Sequence, residues 1–169
     1  EMQKKLNLKI KYREGFRPFA PSVLEEDYKE FFNGKTISPY MLLVKKIKEK
    51  IKLKIPEGYW DLNYWDKLYT NRSKLQSITH VDFSARIQTV SKNTNPRFWN
   101  LINEFKKITG VGVLVNTSFN VRGEPIVNSP EDAFKCFLNT EMDYLVIENF
   151  LYKKKNQKTK IKKQQFKID

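Results

Sequence analysis

The sequence predicts an α/β fold that forms a single domain, with helices flanking a mixed sheet. In the second half of the chain, short apolar runs that suit buried strands alternate with segments whose apolar residues recur at helical spacing. The chain has 169 residues, close to the common size of one domain, and 40% of them are hydrophobic. This composition supplies enough apolar surface for a core and excludes a wholly disordered chain.

The first half of the chain is predicted to combine short helices with extended segments. Residues 1–17 favour a short helix followed by an extended basic arm, and residues 25–32 favour a second short helix. The apolar run at 40–44 predicts a buried strand, and the run at 85–90 predicts another strand. Residues 45–54 alternate Lys with Ile or Leu, which predicts an edge strand or an exposed hairpin arm. Residues 55–77 are rich in aromatic side chains with little period, so we expect a loop that buries those rings.

Two longer helices in the second half share the same start signal. Asn95 and Ser129 are suitable N-cap residues, and each is followed by proline, which is favoured at the first helical position. The first helix is expected over 96–109, with Gly110 ending it, and the second over 130–138. Further apolar runs predict strands at 111–115, 144–147 and 150–152.

The net charge of +13 is concentrated outside the middle of the chain. Residues 153–169 carry a charge of +7, residues 45–54 carry +5 and residues 1–17 carry +4, so the remaining residues are nearly neutral. A Lys-rich terminal run is more often a solvated appendage than a binding surface. We therefore expect a domain at 1–152 and a mobile, dispensable tail at 153–169 with no binding role.

Composition excludes several classes of protein. No apolar run approaches the length of about 18 residues that a membrane-spanning helix needs. One cysteine and one histidine, Cys136 and His80, exclude a disulfide scaffold and a zinc cluster within the chain. These observations favour a cytoplasmic location. The first residue is glutamate rather than methionine, which indicates a piece of a longer protein.

Three groups of polar residues stand at the ends of apolar segments and are candidates for chemistry. The first is the basic arm, where Lys11, Arg13 and Arg17 precede two prolines that restrict the backbone. Its cations suit phosphate or carboxylate oxygens. A solvated basic arm is the alternative, and composition alone slightly favours it.

The second group lies around the strand at 85–90. Alternation along this strand places Arg86 and Gln88 on one face, where Arg86 is able to present its guanidinium to an anion. A salt bridge from this arginine to Asp82 is the alternative. His80 alone is a weak indication of a site, because a lone histidine is usually a hydrogen-bonded structural residue.

The third group follows the predicted strand at 111–115. Four of the next five residues are small and polar: Asn116, Thr117, Ser118 and Asn120. Amide and hydroxyl groups at the end of a buried strand are at the usual position of a ligand site in an α/β sheet. Capping within a turn explains part of this pattern, but a binding role explains more of it.

Five segments of the chain carry recognisable motifs. They lie at 12–24, 38–41, 79–82, 85–90 and 115–127, and they include Arg-Pro-Phe-Ala-Pro and Asn-Thr-Ser-Phe-Asn. Together they closely resemble the C-terminal, YrdC-like domain of the NodU/CmcH family of O-carbamoyltransferases. The resemblance covers roughly residues 8–152 in the family's order, and it implies a YrdC-like twisted mixed sheet flanked by helices.

The resemblance also implies an ATP-dependent reaction. In this family the YrdC-like lobe is understood to make carbamoyl-adenylate from carbamoyl phosphate and ATP, and we expect Mg²⁺ or a similar divalent cation with the nucleotide. A larger N-terminal lobe of the actin-like ATPase superfamily holds the family's metal and passes the carbamoyl group to an acceptor hydroxyl. For this chain the implied partners are therefore ATP, carbamoyl phosphate, the actin-like lobe and an acceptor hydroxyl compound, and no metal site is expected within it.

The matching motifs imply roles for individual residues. Those implied to be catalytic are Lys11, Arg17 and Arg86, as cations for phosphates, and Ser118 and Asn120, as groups that hold the carbamoyl or nucleotide moiety. The weaker ligand-binding candidates are Arg13, His80, Asn116 and Thr117. Such a set is chemically coherent, because several cations offset the repulsion between phosphates while neutral donors polarise the carbamoyl carbonyl.

The sequence departs from the family pattern in three respects. It starts after a Gly-Pro-Arg-rich segment, it carries Phe83 and Ser84 where a small pair often begins with glycine, and it lacks the actin-like lobe. We therefore expect the isolated chain to keep the fold but not the complete reaction. The alternatives are a structural domain that packs on the missing lobe and a basic YrdC-like RNA-binding module. The charge distribution and the lack of an RNP-type aromatic motif disfavour nucleic-acid binding.

Overall fold

The computed structural model describes residues 2–157, which group into two compact units. One unit contains residues 2–17 and 118–157, and the other contains Pro18–Thr117. The α/β class with a mixed sheet is confirmed. Residues 158–169 lie outside the described residues, so the mobility and dispensability of the tail stay predictions.

The helices and strands follow the predicted alternation in the second half of the chain. The helices are α1 (Met2–Leu6), α2 (Tyr28–Phe31), α3 (Tyr64–Tyr69), α4 (Pro96–Thr109) and α5 (Pro130–Asn139). The strands are β1 (Ala20–Leu24), β2 (Leu43–Lys46), β3 (Ser84–Val90), β4 (Val113–Asn116), β5 (Tyr144–Ile147) and β6 (Phe150–Lys153). Within residues 2–157, none of the helices is long and apolar enough to cross a membrane. The cytoplasmic location stays a prediction.

The unit Pro18–Thr117 is built on a four-stranded mixed sheet in the order β2-β3-β1-β4. Strand β1 runs parallel to β3, with Ser22 opposite Gln88, and antiparallel to β4, with Ala20 opposite Asn116. Strand β2 runs antiparallel to β3 and forms one edge of the sheet. Every residue of β1 is buried, as expected for a strand with a neighbour on each side.

Helix α4 closes the core of this unit and has the bounds that the sequence predicts. Ile102 is fully buried and packs in one cluster with Leu24 at the end of β1 and Val90 at the end of β3. Asn95 is the helix cap, because its Oδ1 accepts a hydrogen bond from Phe98 N at 3.3 Å. The local capping signal was therefore sufficient to locate this helix.

The prediction of a buried strand at 40–44 is wrong. Strand β2 begins only at Leu43, and the side chains of Tyr40 and Leu42 are 79% and 77% exposed. Tyr40 and Leu42 lie before the strand, and β2 itself lies at an edge of the sheet, as the alternation at 45–54 predicts.

The prediction that residues 55–77 bury their aromatic rings is wrong for most of them. Tyr59 is buried and donates a hydrogen bond to Val81 O at 2.9 Å. The exposed rings are Trp60, Tyr64, Trp65 and Tyr69. Helix α3 has six residues, fewer than two turns, and so offers only a short face for packing.

The unit formed by residues 2–17 and 118–157 has its own small core. Strands β5 and β6 form an antiparallel hairpin, and α5 packs on it through Ala133 and Phe137, which are buried with Leu145. Phe119 packs against this cluster. The ring of Phe119 therefore points into the core of this unit.

The end of the described chain is attached to α5. Lys154 Nζ donates a hydrogen bond to Thr140 O at 2.9 Å and another to Phe137 O. The same ammonium lies 4.2 Å from the centre of the Phe137 ring, a cation–π distance. Lys154, the first residue after β6, therefore packs on α5.

Candidate functional site

The basic arm is a loop closed around Asn7, which begins the π-helical turn Asn7–Lys11 after α1. The Asn7 side chain is fully buried, and its Nδ2 donates to Arg17 O at 2.8 Å and to Gly15 O at 3.3 Å. Its Oδ1 accepts a hydrogen bond from Arg13 Nε at 2.8 Å. The arm is therefore not extended as predicted, because one buried amide draws its carbonyls and a guanidinium together.

Ser118 and Asn120 form a small closed turn. Ser118 Oγ donates to Asn120 Oδ1 at 2.7 Å, and Asn120 Nδ2 donates to Glu124 O at 2.9 Å. Phe119, between them, is anchored in the core described above. The two polar side chains are thus fixed on one side of the segment by an apolar residue on the other.

Lys11 joins the arm to this turn. Its Nζ lies 2.8 Å from Ser118 O, 3.2 Å from Ser118 Oγ, 2.7 Å from Asn120 O and 2.6 Å from Asn120 Oδ1. An ammonium has three hydrogens, so these four acceptors share them. Lys11 is only 5% exposed, and this burial, aided by the charge of Arg13, lowers its pKa to about 8.

A pocket of about 230 Å³ opens beside these residues. Its lining residues are Lys11, Arg13, Glu14, Arg17, Ser118, Asn120, Val121 and Arg122. Four of them are cations and one is a carboxylate, so the pocket has an excess of positive charge that favours an anionic ligand. Residues 2–157 contain no group of three or more His, Cys, Asp or Glu side chains placed to hold a metal ion.

The one carboxylate in the pocket is already paired. Arg17 Nε and Nη2 donate to the two oxygens of Glu14 at 2.7 and 3.0 Å. These bonds lower the pKa of Glu14 to about 2. Burial, followed by repulsion from Arg17, lowers the pKa of Arg13 as well, which is the expected result of crowding cations in one place.

Asn116 belongs to a polar network across three strands of the other unit. Its Nδ2 donates to Ser22 Oγ at 3.0 Å and to Gln88 Oε1 at 2.7 Å. Ser22 Oγ also donates to Gln88 Oε1, at 2.6 Å, and Ser22 is fully buried. This network provides hydrogen-bond partners for polar side chains on β1, β3 and β4. Asn116 therefore stabilises the sheet.

His80 lies in a turn just before β3. Its Nδ1 is 3.1 Å from Ser84 Oγ, which donates to Asp82 Oδ1 at 2.6 Å. Lys46 Nζ pairs with Asp82 Oδ2 at 2.8 Å, whereas within residues 2–157 no acidic side chain pairs with Arg86. The alternative of an arginine–aspartate salt bridge is therefore wrong. Arg86 is exposed on β3, on the strand face that the alternation predicts.

The predicted site residues fall into two sets. One pocket brings together Lys11, Arg13, Arg17, Ser118 and Asn120. The unit Pro18–Thr117 contains His80, Arg86, Asn116 and Thr117. Sequence reasoning misses Asn7, Ser22, Gln88 and Arg122 as parts of these arrangements. Two of these residues could have been found from the sequence: Arg122 lies within the motif at 115–127, and Gln88 shares a strand face with Arg86. Asn7 lies in no recognisable pattern.

Comparison with known proteins identifies the family. The sequence profile described as "Carbamoyltransferase C-terminus" matches residues 1–154. The chain belongs to this family. The resemblance seen in the motifs is thereby confirmed, and its two most specific motifs contribute Arg17, Ser118 and Asn120 to the pocket.

Relatives of this carbamoyltransferase domain are several times longer than the chain. An uncharacterized protein of Synechocystis is 56% identical over 92% of the chain and 25% of its own length. Nodulation protein NolNO of Sinorhizobium fredii is 44% identical over 89% of the chain and 20% of its own length. The 3'-hydroxymethylcephem-O-carbamoyltransferase of Amycolatopsis lactamdurans is 37% identical over 73% of the chain and 19% of its own length. The chain thus spans a quarter or less of these relatives.

Proposed function

We propose that this chain is the adenylate-forming lobe of an O-carbamoyltransferase, which binds ATP and carbamoyl phosphate and makes carbamoyl-adenylate. Membership of the carbamoyltransferase family supports the reaction class. The observation that carries the proposal is the pocket in which four cations surround the turn of Ser118 and Asn120. Both substrates are polyanions, and a pocket with this charge offsets their mutual repulsion.

The proposed reaction balances with water as a co-reactant. Water cleaves carbamoyl phosphate to carbamate and inorganic phosphate, with release of a proton. An oxygen of the carbamate then attacks the α-phosphorus of ATP, and the bond from that phosphorus to the β-phosphate oxygen breaks to release pyrophosphate. The products are carbamoyl-adenylate, pyrophosphate and phosphate, and Mg²⁺ enters as the complex with ATP.

The arginines of the pocket are proposed to bind phosphate oxygens. A guanidinium suits this task because its planar set of N–H donors binds two oxygens at once. Arg13 is bonded to Asn7 through Nε, and Arg17 is paired with Glu14. Arg86 stays a proposed phosphate-binding cation, on the basis of its motif alone. Lys11 contributes charge while its hydrogens hold the turn.

Ser118 and Asn120 are proposed to donate hydrogen bonds to the carbamoyl or nucleotide group. Asn120 Nδ2 uses one hydrogen on Glu124 O and has a second one to offer. Ser118 Oγ is able to turn its single hydrogen from Asn120 Oδ1 to a ligand, because Lys11 remains as a donor to that amide oxygen. Polarising a carbonyl with donors fixed in advance is an effective way to stabilise developing negative charge.

Transfer to an acceptor is proposed to require more than this chain. Its carbamoyltransferase relatives are several times longer, and the name of the Amycolatopsis enzyme specifies a hydroxymethyl acceptor for that protein. We infer that the acceptor hydroxyl compound binds on an N-terminal actin-like lobe, where the family's metal is expected.

Binding measurements with matched arginine variants test the proposal. Carbamoyl phosphate and Mg-ATP should raise the melting temperature of the chain, and Arg17→Gln should weaken that binding roughly 10- to 100-fold, the usual effect of losing a charged hydrogen bond. Arg97→Gln removes the same charge from the start of α4 and should bind like the unmodified chain. The melting temperature of unliganded Arg17→Gln should change little, because its ion pair with Glu14 is half exposed.

A third ligand separates this proposal from the RNA-binding alternative. A single-stranded RNA oligonucleotide should give no stabilisation at physiological salt. The enzymatic proposal would be wrong if RNA raised the melting temperature in a salt-sensitive way while Mg-ATP and carbamoyl phosphate did not. That result would favour an RNA-binding module.

A further inference from the structure

Four exposed aromatic side chains are concentrated in residues 60–69, which we term the aromatic segment. They are Trp60, Tyr64, Trp65 and Tyr69, and each is between 55% and 75% exposed. Covering a whole side chain of this kind removes about 150–250 Å² from water, so the exposed parts amount to roughly 500 Å². The largest apolar patches on single soluble chains have this size and are often functional. The aromatic segment is therefore a candidate interaction surface.

Three of these rings lie together on helix α3. Trp65 and Tyr69 are four residues apart and so share a face of the helix. The ring centres of Tyr64 and Trp65 are 6.1 Å apart, in a T-shaped arrangement. Trp60 is joined to the same helix, because Lys67 Nζ donates to Trp60 O at 2.6 Å. The rings therefore belong to one structural element rather than to scattered positions.

Hydrogen bonds at both ends fix the backbone that carries these rings. Asn63 caps the start of α3, where its Oδ1 accepts from Asp66 N at 3.0 Å. At the other end, the buried Arg72 donates through Nη2 to Lys67 O and, at 2.8 Å, to Leu68 O. Burial of a guanidinium is costly unless hydrogen bonds compensate for its lost hydration. A buried charge thus holds a helix of six residues, so its exposed rings are positioned before any partner binds.

Charge and composition favour a protein as the partner of the aromatic segment. Residues 60–69 contain two aspartates and one lysine, a net charge of −1 in a chain of +13. Rings that stack on nucleic-acid bases are combined with cations that neutralise the phosphates, and anionic lipid surfaces attract similar clusters of cations. Tryptophan and tyrosine, in contrast, are enriched among the residues that dominate the binding energy of protein interfaces.

The size of the surface favours a partner within the same polypeptide. Each side of a standard interface between separate proteins buries about 800 Å², more than the aromatic segment exposes. A second copy of this chain also has a net charge of +13, which opposes self-association. A covalently linked partner needs a smaller surface, because linkage gives an effective concentration in the millimolar range. Relatives in which the matched region is only 20–25% of the length supply such a linked partner.

We propose that the aromatic segment docks on an apolar surface of the N-terminal lobe of the natural polypeptide that contains this sequence. The inference rests on the proposed function only for the presence of that lobe, not for the reaction. It gives a physical reason for the disagreement between sequence and structure at residues 55–77. The aromatic composition predicts buried rings, and these rings are covered in the whole protein rather than within this chain.

Hydroxyl-radical footprinting tests the inference, because it measures the exposure of individual side chains without a variant. Trp65 and Tyr69 should be oxidised at least about 5-fold more slowly in the natural polypeptide than in the chain of 169 residues, since the centre of an interface excludes water. Tyr144, a similarly exposed tyrosine on strand β5, is the control and should react at the same rate in both. Equal rates for Trp65 and Tyr69 in the two samples would overturn the inference.

A pair of double variants gives a second measurement. Trp65→Ser combined with Tyr69→Ser should speed the tryptic cleavage that separates this domain from the rest of the natural polypeptide at least about 10-fold, because two anchors of the interface are lost. Leu101→Ser combined with Ile108→Ser removes two exposed apolar side chains from α4 and should leave the cleavage rate unchanged. Similar rates for the two double variants would contradict a specific role of the aromatic segment.

Pyrophosphate release from Mg-ATP and carbamoyl phosphate, measured on the same preparation, tests the proposed function separately. Protection of Trp65 and Tyr69 without pyrophosphate release would support the docking surface and remove the proposed reaction. Pyrophosphate release without that protection would overturn the docking surface and leave the proposed function intact.

Discussion

At the residue scale, the most informative side chain of the pocket is Lys11. Its ammonium is buried, but the turn of Ser118 and Asn120 supplies more acceptors than it has hydrogens. A buried charge is tolerated when hydrogen bonds compensate for lost hydration. We infer that Lys11 both holds the turn and adds its charge to the pocket, whereas the arginines meet the phosphates directly.

The lowered pKa of Lys11 predicts a pH dependence. Above a pKa of about 8 the ammonium becomes neutral, and the pocket loses one of its four positive charges. The value of kcat/KM for carbamoyl phosphate reports groups of the free enzyme, so it should fall as the pH rises through this range. Lys11→Met has no ammonium. Its kcat/KM should therefore be lower at neutral pH, and it should not show the alkaline fall that the titration of Lys11 causes. An unchanged alkaline limb in Lys11→Met would show that another group titrates there.

Ser118 and Asn120 are predicted to affect the rate rather than the fold. Ser118→Ala or Asn120→Ala should slow carbamoyl-adenylate formation roughly 100- to 1000-fold, because loss of one such donor typically costs about 2.7–4 kcal/mol of transition-state stabilisation. The assay is ATP turnover that depends on carbamoyl phosphate, without acceptor. Near-normal turnover in both variants would remove these residues from the proposed site.

Phe119 is the matched control within the same segment. It packs against the cluster of Ala133, Phe137 and Leu145, so Phe119→Ala should lower the free energy of unfolding by about 2 kcal/mol. At a temperature where the variant is folded, its turnover should fall less than that of the polar variants. A larger loss of turnover than in Ser118→Ala would mean that the ring acts in the reaction.

At the element scale, the sequence was most informative where the signals are local. Asn95 and Ser129 cap α4 and α5 through their own side chains, and both helices begin where the capping residue and the following proline predict. The alternation at 45–54 predicts an edge strand, and β2 does lie at an edge of the sheet. That pattern does not include Leu43 and Val44, so the exposure of these two apolar side chains was not predicted.

The pocket illustrates the same division between local and distant information. Lys11 and Ser118 are 107 residues apart, and no periodic pattern links them. Their association was inferred only through the family motifs. Asn7 was missed because a single asparagine near the end of a helix has no distinguishing pattern, although its buried amide closes the arm. Burial and hydrogen bonding of this kind depend on the folded chain as a whole.

The turn before β3 contains a backbone conformation that predicts an unusual order of stabilities. Phe83 has a φ of 61°, in the left-handed region, and its buried ring packs with Tyr59 and Trp60. Both Phe83→Ala and Phe83→Gly lose that packing, but glycine adopts this φ without strain. Phe83→Gly should therefore be more stable than Phe83→Ala by about 1 kcal/mol, the reverse of the order in a helix or strand. Chemical denaturation measures this difference, and an alanine variant at least as stable as the glycine variant would contradict it.

At the scale of the whole molecule, charge is placed unevenly. The chain has a net charge of +13, yet the pocket of four cations is only a small part of that excess. Arg13 and Arg17 are fixed by hydrogen bonds to Asn7 and Glu14, in contrast to cations that serve only solubility. This difference separates a site from a general basic surface, and it explains why net charge alone was a poor guide to function.

The most direct measurement of the central claim is the release of pyrophosphate from Mg-ATP by the natural polypeptide that contains this sequence. Release should require carbamoyl phosphate, should proceed without an acceptor hydroxyl compound, and should be reduced at least about 10-fold by Arg17→Gln while Arg97→Gln has no effect. The assignment of this pocket to carbamoyl-adenylate formation would be contradicted by pyrophosphate release that does not depend on carbamoyl phosphate. Equal release by the two arginine variants would contradict it as well.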